Sequence, residues 1–101
     1  MIHTKEEIKI ILDTLYKDLE SSYNEDDIHI YYKEEIELAR GDIEGGKTNV
    51  WKVSIEDRLF ETVDFLTISD ETGEPLYFQT KHRVFEIEKN ENDKYQIKAD
   101  K

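Results

Sequence analysis

The chain has 101 residues, 37% hydrophobic and 39% charged, and 25 acidic against 14 basic side chains leave a net charge of −11. Such a charge repels phosphate backbones and anionic lipid, which argues against nucleic-acid and membrane partners. Cysteine is absent, which removes disulfides, thiolate nucleophiles and zinc ribbons. One Trp, six Tyr and four Phe are more aromatic content than disordered chains carry, so a folded α+β domain spanning residues 1–101 is expected.

In chain order, Thr4-Lys5-Glu6-Glu7 reads as a capping box, in which a Thr hydroxyl and a Glu three residues later satisfy each other's orphan backbone N–H. Ile8, Ile11, Leu12, Leu15 and Leu19 follow at helical spacing with Tyr16 beside them, predicting an amphipathic helix near Thr4–Ser22. After the acidic Asn24–Asp27 turn the period becomes two. Ile28, Ile30, Tyr32, Ile36 and Leu38 share one parity, and His29, Lys33, Glu35 and Glu37 the other. Glu34 interrupts this pattern and predicts a bulge or two shorter strands. A helix across Lys33–Arg40 stays open as the alternative, because those residue types also favour helix.

Glu44-Gly45-Gly46-Lys47 marks a turn. Val50–Glu56 alternates again, with Trp51, Val53 and Ile55 on one side, and Glu56-Asp57-Arg58 is expected to be a loop. Strands are expected at Thr62–Ser69, Leu76–Thr80, Arg83–Lys89 and Lys94–Ala99, separated by turns at Asp70–Pro75 and Asn90–Asp93. The fold expectation is an N-terminal amphipathic helix packed on a curved antiparallel sheet of five to six strands.

The motifs for catalysis are missing. His3, His29 and His82 fall at no metal-ligand spacing. Asp70-Glu71-Thr72-Gly73 lacks the ligand positions of a calcium loop. No nucleophile elbow, phosphate-binding glycine loop or dinucleotide fingerprint occurs. The reading is therefore of a chain that is not an enzyme and takes no cofactor or metal. Tyr and Trp are favoured interface anchors because they bury large area yet keep a polar handle. Tyr31 is expected on the outer sheet face if Tyr32 packs inward with Ile30, and Trp51 and Tyr77 are placed near sheet edges.

Val50-Trp51-Lys52-Val53, an acidic loop and Phe65–Leu76 together resemble the strand pair of PepSY-type domains, with Asp70, Thr72 and Gly73 matching their aspartate–threonine–glycine turn. The same stretch is similar to small bacterial immunity proteins of the nuclear-transport-factor-like fold. Both resemblances imply a non-enzymatic binding module, and neither supplies a catalytic residue.

The functional expectation is a protein-binding module, most concretely an immunity-type inhibitor whose acidic face meets a basic protein partner. Its candidate contacts are Tyr31, Glu35, Glu37, Trp51, Glu56 and Asp57. The alternatives are a PepSY-like regulatory or inhibitory domain and a small-ligand-binding, cone-like sheet domain. No apolar run has membrane-span length and Met1–Lys9 is charged rather than signal-like, so a cytoplasmic location is expected. An edge strand near Tyr31 or Lys94–Ala99 could also pair with a second copy, leaving a homodimer open.

Overall fold

The capping box forms as its sequence requires. In the computed structural model, which describes residues 2–37, 47–57, 62–81 and 83–98, the Glu7 N–H donates to Thr4 Oγ1 (3.2 Å) and the Thr4 N–H donates to Glu7 Oε1 (3.0 Å). Helix α1 (Lys5–Asp18) starts there. It ends four residues before the expected Ser22, because Glu20 turns left-handed at φ 55°. The Ser21 N–H then reaches the Tyr16 carbonyl (2.9 Å) and the Glu20 N–H the Lys17 carbonyl (3.1 Å). This is the Schellman pattern, closed here by glutamate where glycine is usual.

A short 3₁₀ turn (Glu25–Asp27), capped by the Asn24 side chain, leads into six strands: β1 (Ile28–Glu37), β2 (Lys47–Asp57), β3 (Thr62–Ser69), β4 (Pro75–Gln79), β5 (Val84–Lys89) and β6 (Tyr95–Ile97). They pair antiparallel in sequence order, a six-stranded meander with β1 and β6 at its edges. The α+β class and the helix-on-antiparallel-sheet architecture are thus as expected, with six strands. The helix alternative fails for residues 33–37, which are strand, while 38–40 and the Gly45-Gly46 turn lie outside the described residues. Glu56 and Asp57, expected in a loop, extend β2 and pair with Val63 and Thr62.

One face of the sheet carries the main core. Ile8, Leu12 and Leu15 of α1 pack on Trp51, Val53, Leu66 and Ile68, with Ile28, Ile30, Tyr32, Ile55, Phe78, Ile87 and Tyr95 around them. The strand register sets these residues side by side, as in Tyr32–Trp51–Ile68 and Ile30–Val53–Leu66–Phe78. The period-two reading of β2 is therefore the reading of which side chains face α1.

The bulge expected at Glu34 is present. Lys33 pairs with Val50 and Ile36 with Thr48, so Glu34 and Glu35 together oppose Asn49 alone. Glu35 takes φ 51°, and its N–H is met by Asn49 Oδ1 at 3.0 Å. The inserted residue has a consequence that the parity count did not anticipate. Beyond the bulge Ile36 leaves the face of Ile28, Ile30 and Tyr32 and joins a second cluster on the opposite face, with Val50, Leu76, Tyr77 and Val84.

Candidate functional site: an open sheet face and the edge strand beside it

Only one face of the sheet is covered by α1. The other divides along its length. Near the bulge, Val50 and Tyr77 form the small second cluster, and the Lys52 stem lies over the Tyr77 ring with Nζ 5.4 Å from its centroid. Lys52 Nζ donates to Thr67 Oγ1 at 2.6 Å, closing this end with a polar contact. Toward the far ends of β2 and β3, Val63 (39% exposed) and Phe65 (36%) stand in the open. The register sets Glu56 beside Val63 and Ser54 beside Phe65.

The six residues singled out from the sequence do not converge. Tyr31 lies half-buried on the open face opposite Lys52, with Lys33 Nζ 5.6 Å from its ring centroid. Glu56 is exposed on that same face. Glu35 is exposed in the bulge. Glu37 and Asp57 sit at strand ends, paired with Lys47 and Thr62 respectively. Because Glu37 pairs with one end of β2 and Asp57 occupies the other, the two positions are separated by roughly 30 Å of strand. They flank the sheet rather than form one patch.

Trp51 does not serve as an exposed anchor in this conformation. It is 4% exposed in the main core, tilted against Tyr32 with ring centroids 5.3 Å apart. Tyr77 is also interior to the sheet and 1% exposed, not at an edge. Both aromatics sit on strands flanked by neighbours on each side, where large side chains fill volume that a small core cannot leave empty.

Trp51 also takes part in a constellation that the sequence did not reveal. Its indole N–H donates to Asp70 Oδ1 (3.0 Å), which also accepts from the His3 N–H (2.9 Å), while Oδ2 accepts from the Ile2 N–H (2.8 Å). The His3 ring nitrogen Nδ1 lies 2.7 Å from the Asp70 carbonyl. Asp70 is 1% exposed. Burial alone would raise its pKa, but the donors from His3, Ile2 and Trp51 prevail and hold it below the usual carboxylate range. The same carboxylate and burial raise the pKa of Tyr32, for whose buried hydroxyl no hydrogen-bond partner is found among the described residues.

Gly73 completes this corner. At φ 75° it closes the β3–β4 turn through a 2.8 Å bond from its N–H to the Ser69 carbonyl. A Cβ built there would lie 2.5 Å from His3 Nε2, so the turn needs glycine both for its backbone and for the ring above it. The Asp-Glu-Thr-Gly run is thus a fastener for the segment before α1. Its carboxylate is occupied by N–H donors, and among the described residues no group of three His, Asp or Glu is arranged to hold a metal.

A second polar cluster ties the middle of α1 to the 3₁₀ turn and the residue before it. Lys9 Nζ bonds Asp13 (3.1 Å) and Glu25 (2.9 Å), and the Tyr23 hydroxyl donates to Asp13. That hydroxyl, more than Lys9, holds the Asp13 pKa below its ordinary value. Beside this cluster runs a groove of about 530 Å³ between α1 and the edge strand, lined by Lys5, Glu6, Lys9, Glu25, Ile28, His29 and Ile30.

Among the described residues the architecture is one helix on an open antiparallel sheet, an α+β protein with one face packed and one face partly bare. Comparison with family models, with curated proteins and with solved structures finds no match to the chain. No helix among the described residues is long and apolar enough to cross a membrane.

Proposed function

We propose that this chain is a non-enzymatic protein-binding module, an immunity-type inhibitor that meets a basic protein through the open face of its sheet and the strand ends around it. The observation that carries the reading is the exposed Val63–Phe65 patch, bordered by Glu56, on a chain of net charge −11. An apolar centre supplies burial, and a one-sign charge field around it speeds encounter with the opposite sign. Tyr31 and Glu56 act as contact residues in this reading, with Glu35, Glu37 and Asp57 contributing field rather than direct fit.

The test is association with the basic protein that co-purifies from the native source. The rate constant should fall steeply between low and physiological salt. Charge reversal Glu56→Lys should slow association, and Phe65→Ala should speed dissociation. An association rate indifferent to salt, or recovery of no basic protein, defeats the proposal. A PepSY-like regulatory module is the second reading, favoured by the helix-then-sheet order and the built Asp70–Gly73 turn. A peptidase or envelope protein as the co-purifying partner would select it.

A further inference from the structure

The two edges of the sheet are unlike. β6 is three residues long, whereas β1 runs for ten and, among the described residues, pairs with β2 alone. A long edge is a row of backbone donors and acceptors waiting for a strand, and proteins usually blunt it by shortening, bending or covering it. Here the bulge at Glu34–Glu35 ends the regular ladder, leaving Ile28–Lys33 in unbroken register with β2. Alongside that stretch lies the groove floored by Ile28 and Ile30 and walled by α1. A strand added to β1 would send alternate side chains into this groove and the others toward Tyr31 on the open face.

Charge decides what such a strand can be. Acidic residues bracket the ladder at both ends: Glu25 and Asp26 in the 3₁₀ turn before it, Glu34 and Glu35 in the bulge after it, all exposed. Within the groove, Lys5 and Lys9 are matched by Glu6 and Glu25, and Lys9 is held by Asp13 and Glu25. That leaves Asp26 at one end and Glu34 and Glu35 at the other as the acids that the ends of an added strand would meet. A second copy of the chain fits poorly. Antiparallel pairing centred on Tyr31 would set the Glu25–Asp26 turn of one copy beside the Glu35 bulge of the other, like charge against like. The arrangement is complementary instead to an extended segment with basic residues at both ends, spaced by the roughly 20 Å that six strand residues span, and apolar residues between.

We infer that the β1 edge binds such a segment by strand addition: an extended peptide with basic ends and an apolar centre extends the sheet past Ile28–Lys33. The inference rests on the proposed reading of a basic protein partner and specifies how one part of it is held. Backbone pairing supplies an affinity indifferent to sequence, Ile28 and Ile30 select apolar side chains at alternate positions, and Asp26, Glu34 and Glu35 select the ends.

The experiment uses the full chain, labelled for amide NMR, and a synthetic peptide Lys-Arg-Val-Thr-Val-Thr-Val-Arg-Lys as probe. Amides of Ile28–Lys33 should shift and gain exchange protection, with those of α1 facing the groove following. The double variant Asp26→Lys/Glu34→Lys, both at exposed positions, should weaken binding tenfold or more, and a peptide with Glu at the ends should bind no better than that. Binding that leaves the Ile28–Lys33 amides unmoved overturns the inference. So does equal binding of the Glu-ended peptide, or no binding at millimolar peptide. The outcomes separate the two levels. A basic protein that perturbs the Ser54 and Phe65 amides but not β1 sinks strand addition and leaves the inhibitor reading standing. A peptide that docks on β1, with a native partner that is acidic or neutral, does the reverse.

Discussion

The two faces of the sheet are drawn from the same strands by the same alternation, yet they are finished differently. On the helix side, Ile8, Leu12 and Leu15 seal Trp51, Val53, Leu66 and Ile68 from water, and a buried carboxylate fastens the segment before the helix. On the other side only the end near the bulge is closed, around Val50 and Tyr77, while Val63 and Phe65 remain bare. Among the described residues α1 is the one helix that lies across the sheet, so one face gets a lid and the other must be polar, self-covering or reserved for a partner. The difference separates the face that carries stability from the face on which the binding proposal rests.

That division can be broken experimentally. If the helix side carries stability, Leu12→Ala should cost about 2–5 kcal/mol in denaturant unfolding. A loss under about 1 kcal/mol would mean that α1 is not sealing the core. Asp70→Asn removes the charge on which three N–H donors converge and should cost about 2–3 kcal/mol at neutral pH. The sign with pH follows from its lowered pKa. The Asp70 contribution is fully present above the unfolded carboxylate pKa, near 4, and is lost as pH falls through the folded value. Stability measured from pH 7 down to below 4 should therefore drop further in the parent chain than in Asp70→Asn, and parallel curves would remove the fastener.

Smaller effects sharpen the contrast. The left-handed Glu35 is where β1 hands its apolar side chain from one face to the other, so Glu35→Gly should relieve backbone strain and stabilise by about 0.5–1 kcal/mol. A loss instead would show that the Glu35 side chain has a structural role. Val63→Ala on the open face should change stability by no more than about 0.5 kcal/mol while weakening partner association. Should it destabilise as Leu12→Ala does, the open face is core and the binding proposal loses its surface.

Much of this was legible in the residues. The Thr4–Glu7 cap, the Ile8–Leu19 stripe, the Trp51-Val53-Ile55 alternation and the disruption at Glu34 are local signals, written within a few residues of where they act. Legibility stopped where contacts joined distant segments. His3 looked like an isolated terminal histidine and Asp70 like one turn acid among many, because the bonds between them cross 67 residues of chain. Trp51 looked like an interface anchor because composition cannot tell an inward tryptophan from an outward one. Its place was set by register against Tyr32 and Ile68.

By itself, then, the sequence determined the order of the elements, most of their types and the acidity of the whole, since propensity, capping and periodicity act at short range, while strand over residues 33–37 and at Glu56–Asp57 was settled by pairing with neighbours. The tertiary structure alone decided which parity faces the helix, that the bulge moves Ile36 to the second face, that Asp70 is buried among donors, and that β1 is a long edge beside a groove. Those features depend on which strands become neighbours, and neighbourhood is fixed by burying the apolar surface of the entire chain at once.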